Sequence, residues 1–354
     1  MTDESSRYFN DKTVLVTGGA GAIGGNLSRA LADLGAKAVI ILADLSSAYE
    51  WNIPSGSNVL FVKGDIRDDV ALKRVFKLRP TVVYHLAAFF ANQNSVDYPE
   101  KDLSVGLGGT LKILEYTALT KVDRFVFAGS SGCYGADAPL PLKEDLMSMY
   151  LSTPYQVSKV AGALYCNFYH RHYGLPVVKP RFFNSYGPGE VPGQYRNVIP
   201  NFVYWAMLGM PLPLTGAGAA TRDFTYVDDI VDGLLRSAWS EGAIGADINI
   251  ASGKEIAIKE LADRINTLVG STAGIRTVEQ RKWDNKDRRL ASIERATKLL
   301  GFTPRTSIDK GLALTVDWFK ANWDRIKASA EFPPGVSPAV SGLTVRRDSS
   351  QSKG

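Results

Sequence analysis

The chain has 354 residues, 45% of them hydrophobic and 22% charged, with 41 basic against 36 acidic side chains for a formal charge of +5. That balance is ordinary for a globular enzyme and allows one large domain or two unequal ones. It excludes a disulfide framework, since only Cys133 and Cys166 occur, and no 18-residue apolar run suggests a membrane span. Part of the positive charge lies in the polar end VRRDSSQSKG, so no nucleic-acid partner is expected. With two cysteines and no charged-then-apolar leader, a cytoplasmic protein is expected.

The elements follow in chain order. Residues 12–16 form an apolar strand that runs into glycines, and 23–34 carry Ile23, Leu27, Ala30, Leu31 and Leu34 at helical spacing until Gly35. Strands are predicted at 39–42, 59–62, 82–86, 124–128 and 177–180, with helices at 68–78, about 102–120 and 153–173, the last stopped by Gly174. Such alternation predicts a doubly wound, Rossmann-type α/β fold with a parallel sheet covered on both faces. After residue 187 Gly and Pro become frequent. The expected division is therefore a dinucleotide domain at 11–187, completed by about 226–250, and a smaller substrate lobe from 188–225 and 251–330. Residues 331–354 are expected to have no stable fold.

The segment Gly18-x-x-Gly21-x-x-Gly24 follows a strand and opens a helix at Ala22 and Ile23. Gly18 suits a tight turn, Gly21 a close approach to a pyrophosphate, and Gly24 close packing of helix on strand. Unpaired N–H groups at the helix start would face the phosphates. Asp44 closes the second strand, where a carboxylate accepts from ribose hydroxyls and repels a 2′-phosphate, which favours NAD over NADP. Asp65 and Ile66 are placed along the adenine, with a plain turn as the alternative. Leu86, Ala87 and Ala88 leave room for the cofactor after the fourth strand.

Tyr155 and Lys159 are four apart and share a helical face. A tyrosine with pKa about 10 is a poor base at neutral pH, and a neighbouring ammonium is expected to lower that value. Ser130 lies just past a strand end that opens on the same crevice. Its hydroxyl would hold a substrate oxygen while Tyr155 moves the proton, and Lys159 would also hold a ribose. No spacing of His85, His170 and His172 suggests a metal site, and none is expected.

The segments TGGAGAIG, GDIRD, YHLAA, GSSGCYG, YQVSK, PRFFNSYGPG, NVIPNF and TRDFTYVDDI together resemble the extended short-chain dehydrogenase/reductases, specifically their nucleotide-sugar epimerase and dehydratase branch. The resemblance spans about residues 12–325. It implies a nucleotide-diphosphate sugar as substrate, with Asn184 near the diphosphate, Arg222 on a phosphate and Asn197 and Val198 around the base. It implies a late arginine over the diphosphate, Arg288 or Arg289, with Arg281 and Lys282 as alternatives. It also implies a homodimer built on the helices near 102–120 and 153–173, whose outward faces would carry Leu111, Leu114, Leu164 and Phe168.

Departures from the branch narrow the reaction. Its dehydratases resemble this chain except for an acid pair after the reacting hydroxyl, and its decarboxylases except for a glutamate there. Here Ser131 and Gly132 follow Ser130. Cys133 stands one place before Tyr134, not two as in the GDP-mannose 3,5-epimerases, so a packed thiol is expected. What remains is NAD-dependent 4-epimerisation of a UDP-sugar through a 4-keto intermediate. The alternatives are a 4-keto reductase, a CDP- or GDP-sugar epimerase or, remotely, a non-enzymatic scaffold. A sugar carboxylate at C5 would meet Asn94, Ser131 and Arg289. The branch asparagine that ties the active strand end to a neighbouring helix is Gly106 here, with Asn92, Gln93 and Asn94 as the candidate substitutes. Met147, Met149 and Met207 are expected to fill gaps in the lobe core.

Overall fold

The structure, a computed structural model, describes residues 3–279 and 287–332. Its centre is a parallel sheet of β1 (Thr13–Thr17), β2 (Ala38–Ala43), β3 (Val59–Lys63), β4 (Val82–His85), β5 (Arg124–Phe127), β6 (Val177–Phe182) and β7 (Asp247–Ile250). The spatial order is β7-β6-β5-β4-β1-β2-β3, and Gly129–Ser130 adds a short pairing to β6. Val14 lies between Val39 of β2 and Val82 of β4. The strands read as continuous apolar runs because both faces are covered. One core sits on each side, around Val16, Ile41 and Leu234 and around Leu15, Leu42 and Phe127. The order reverses between β1 and β4, so the crevice opens at their carboxyl ends.

The Ala22–Asp33 helix buries Leu27, Ala30 and Leu31 as its periodicity requires. The Pro154–Tyr173 helix starts at Thr153, whose hydroxyl accepts from the Gln156 amide, and ends where Gly174 turns left-handed at φ 67°. The predicted 102–120 helix is not uniform. A short Pro99–Asp102 turn leads into a π-helical stretch, Leu103–Gly109, before the α-helix Thr110–Thr120. Glycines make close packing possible there, since a Cβ on Gly109 would lie 2.4 Å from Ile66 Cδ1. Leu114, expected on the outward face, is fully buried instead, whereas Leu164 and Phe168 are exposed.

A third apolar cluster gathers Tyr186, Ile199, Trp205, Leu261, Val316 and Phe319. The chain stays packed past 330: Glu331 accepts from the Gln194 amide and Phe332 stacks on Tyr204 at 5.5 Å. The absence of stable fold expected from 331 therefore does not apply to these two residues, and positions 333–354 lie outside the described residues. Met149 is 85% exposed, so it fills no gap; Met207 packs on the third cluster. Cys133 is buried in a fourth, small cluster with Tyr134 and Phe183. No helix among the described residues is long and apolar enough to cross a membrane.

Candidate active site

The glycine turn is enforced by backbone proximity. Gly18 has φ 69°, and a Cβ on it would lie 2.7 Å from the Ala87 nitrogen. One on Gly24 would lie 2.3 Å from the Gly18 carbonyl oxygen. Gly21 is the N-cap of the Ala22–Asp33 helix and brings no side-chain cap, so the first helical amides keep their donors. Ala22 and Ile23 line a recess with Ser185, Gly187 and Glu190. Asn26 and Asn52 hold that facing loop by donating to Pro188 O (2.8 Å) and Gly189 O (3.0 Å). This open, donor-rich cradle fits a dinucleotide pyrophosphate.

Asp44 is exposed at the end of β2, and its Oδ1 accepts from the amide and hydroxyl of Ser46 at 2.9 and 2.8 Å. Asp65 is gripped by Arg67, whose hydrogen bonds hold its carboxyl below the usual range. Ile66 turns into the core. Leu86 and Ala88 are partly buried beside Ala87, which donates to Thr17 Oγ1 at 3.3 Å.

Ser130, Tyr155 and Lys159 converge although they come from a strand end and a helix. Ser130 Oγ accepts from the Gly132 amide at 3.0 Å and hydrogen-bonds the Tyr155 side chain. Lys159 Nζ donates to Ala128 O at 2.8 Å and lies 5.9 Å from the Tyr155 ring centre. Phe90 meets the Tyr155 ring edge-on at 6.2 Å. The expected lowering of the Tyr155 pKa by Lys159 is not found. Burial pushes the phenol up to about 12, partly offset by Ser130 and reinforced by the charge of Asp102. Desolvation dominates, and the Lys159 ammonium is turned to the Ala128 carbonyl. Burial also brings Lys159 down to about 8, with Asp102 opposing it. A phenol, a hydroxyl and an amine so placed suit proton transfer at one carbinol oxygen.

A chain of hydrogen bonds runs from the π-helical turn to the end of β1, just before the glycine turn. Thr110 donates to Gly106 O at 2.6 Å, so His85 Nε2 donates to Thr110 Oγ1 at 2.9 Å and His85 Nδ1 accepts from Thr17 at 2.7 Å. Burial pushes the His85 pKa to about 3, which keeps the ring neutral. Asn92, Gln93 and Asn94 do not stand in at Gly106. Asn92 Oδ1 accepts from Thr153, Gln93 donates to Asp97, and Asn94 Nδ2 donates to Phe90 O. The contact between the two helices is made by Asp102, whose Oδ2 accepts from Ser158 Oγ at 2.6 Å.

The other side of the crevice draws on distant segments. Arg289 Nη1 donates to Ser131 O (2.8 Å) and lies 3.2 Å from Ser131 Oγ. Its neighbour Arg288 turns away to Glu255 on the surface, so the two do not act together. Asn184 Nδ2 donates to Asp223 O at 3.0 Å, and Arg222 Nη1 to Thr221 O at 2.9 Å. Asn197 Nδ2 donates to buried Glu190 at 2.9 Å, and Val198 starts the helix that follows. Burial raises the Glu190 pKa to about 7. Arg281 and Lys282 lie outside the described residues.

Sequence reasoning missed Asp223 as a hub. Its carboxylate is fully buried and accepts from Ser252 N and Oγ, Gly253 N and Ala291 N. It thereby fixes Arg222 and the strand end next to Arg289. Its place in the TRDFTYVDDI run was the only available signal. No group of three or more His, Cys, Asp or Glu able to hold a metal occurs among the described residues.

The profile of the NAD dependent epimerase/dehydratase family matches residues 14–251. The chain is 54% identical to an epimerase of Methanothermobacter thermautotrophicus of known structure, with a TM-score of 0.92 over 93% of this chain and 98% of that one. It is 35% identical to UDP-glucose 4-epimerase of Mycolicibacterium smegmatis, over 86% of this chain and 98% of the relative. It is 34% identical to UDP-glucuronate 4-epimerase of Thermodesulfobacterium geofontis, over 89% and 98%. Other relatives carry decarboxylase and dehydratase names.

Proposed function

The chain belongs to the NAD dependent epimerase/dehydratase family, and we propose that within it the protein is a 4-epimerase of a UDP-sugar. The observation that carries this reading is the loop after Ser130. Ser131 and Gly132 bring no carboxyl group, and Gly132 has little room for one, since a Cβ there would lie 3.0 Å from Gln156 Cγ and 3.2 Å from Ser130 Oγ. Elimination and decarboxylation in this family's branch rest on an acidic group at that loop; inversion at C4 needs only a reversible proton transfer and a reversible hydride acceptor.

NAD, when bound, supplies that acceptor, taking hydride from C4 and returning it. Gly18, Gly21, Ala22, Ile23 and Gly24 would hold its pyrophosphate, and Asp44 its adenosine ribose through the oxygen that Ser46 leaves open. Tyr155 takes the proton of the 4-hydroxyl and later returns it, with Ser130 holding the same oxygen. Lys159 keeps a positive charge close to the phenol. Asn184, Arg222, Asn197 and Val198 form the diphosphate and base subsite, and Arg289, Ser131 and Asn94 line the sugar. On this reading residues 11–187 with 226–250 carry the cofactor, and 188–225 with 251–330 carry the sugar nucleotide. A homodimer across the Pro154–Tyr173 helix would cover Val157, Leu164, Tyr165 and Phe168, all exposed.

The test is to incubate the holo-protein separately with UDP-glucose, UDP-N-acetylglucosamine and UDP-glucuronate and follow the sugar protons by NMR. The expected outcome is a mixture of the two C4 configurations of one of them, with no solvent hydrogen at C4 and no net NADH. A 4-keto-6-deoxy sugar or a pentose would overturn the reading.

A further inference from the structure

Asp102 is a buried carboxylate that the reaction above does not use. It is 1% exposed, at the point where the Pro99–Asp102 turn enters the π-helical stretch. One oxygen, Oδ2, accepts from Ser158 Oγ at 2.6 Å. The other, Oδ1, is fully buried and has no hydrogen-bond partner. A carboxylate left half-satisfied in a protein interior is costly and calls for a nearby positive charge. Ser158 immediately precedes Lys159, whose side chain is also buried and whose Nζ donates to Ala128 O.

Gly106 makes the arrangement possible. A Cβ there would come 3.0 Å from Ser158 Cβ and 3.8 Å from Asp102 Oδ1. Any side chain at 106 would thus press on the serine that holds the carboxylate. The π-helical turn and its glycine therefore bring a carboxylate onto the Tyr155–Lys159 helix at Ser158.

We propose that Asp102, held by Ser158 across the gap at Gly106, is a positioning residue of the active centre whose carboxylate keeps Lys159 in its ammonium form. This rests on the assignment of Tyr155 and Lys159 to proton transfer. The ionisable groups that interact with the carboxylate from packed elements are Lys159 and Tyr155 of the Pro154–Tyr173 helix. On its own segment Lys101 is drawn to the Phe89 ring instead. The direction of the effect is set by charge: burial lowers the affinity of Lys159 for its proton and raises that of Asp102, and each charge opposes the burial of the other. In wild type the ammonium is present below about pH 8 and lost above it.

The experiment is an NMR titration of holo-protein carrying isotope-labelled lysine, with the Lys159 signal assigned by its loss in Lys159→Arg. Asp102→Asn keeps an acceptor for Ser158 and removes only the charge. The Lys159 midpoint is expected to fall by about one pH unit, the size of a near charge pair, and the alkaline limb of turnover to move down with it. Ser158→Ala, which loosens the carboxylate, is expected to move the midpoint in the same direction by less, and it serves as the test if Asp102→Asn does not fold. A Lys159 midpoint unchanged from wild type in the folded variant overturns the proposal, even where turnover drops. Tyr155→Phe is assayed in parallel. Full activity of that variant overturns the proton-transfer assignment, whereas an inert Tyr155→Phe with an unmoved Lys159 midpoint overturns the role of Asp102 alone.

Discussion

The two walls of the crevice are made of different material. The cofactor wall is largely backbone: Gly18 against Ala87, Gly24 against the Gly18 carbonyl, and uncapped amides at the start of the Ala22–Asp33 helix. The facing wall is side chains reaching across long stretches of sequence, such as Arg289 to Ser131 and Asp223 to residues 252, 253 and 291. A backbone wall tolerates no added atom but asks little of its neighbours. A side-chain wall can be retuned residue by residue, because each polar group depends on one or two partners. The same family frame can therefore keep one cofactor while its members act on different sugars.

The sharpest way to separate the walls is to strike the chemistry between them. Tyr155→Phe keeps the ring that packs on Phe90 and removes the transferable proton. Turnover is expected to fall by about 10²–10⁴-fold, the usual worth of a positioned acid–base group, while NAD content per protein stays at the wild-type level. Turnover within a few-fold of wild type would place the proton elsewhere.

A change confined to the cofactor wall comes next. Gly24→Ala puts a Cβ 2.3 Å from the Gly18 oxygen, and overpacking of this kind costs roughly 1–3 kcal/mol. The melting temperature and the NAD retained through gel filtration should both drop. A variant that keeps its NAD and its melting temperature would show that this wall is softer than its geometry indicates.

The smallest effect is expected on the opposite wall. Arg289→Lys keeps the charge but loses the planar fork that reaches Ser131. KM for the sugar nucleotide should rise by about tenfold, near 1.4 kcal/mol, with NAD retention unchanged. If KM stays fixed and NAD is lost, Arg289 serves the cofactor side and the division between the walls fails.

The same division explains what could be read in advance. The strands, the turn at Gly18 and the ends of the helices at Gly35 and Gly174 depend on local backbone rules: hydrophobic period, missing Cβ atoms and positive φ. The order of the sheet follows from its βαβ connections. Those constraints act between residues close in sequence, so composition and spacing express them. The approach of Ser130 to Tyr155 was legible for the same reason, since strand ends of a parallel sheet share one edge.

The tertiary structure alone decided the charges. The glycine pattern and the Tyr-x-x-x-Lys spacing pointed to where a dinucleotide and a hydroxyl are proposed to meet. Only the packed fold set Tyr155 near 12 and Lys159 near 8, sent Arg288 to Glu255 and Arg289 to Ser131, and enclosed Asp102 beside Ser158. Nothing in the run DLSVGLGGT marks that aspartate as buried, since Leu103 beside it is exposed. The physical reason is that a backbone conformation costs energy locally, whereas desolvation and pairing depend on which distant groups fill the last few ångströms around a charge.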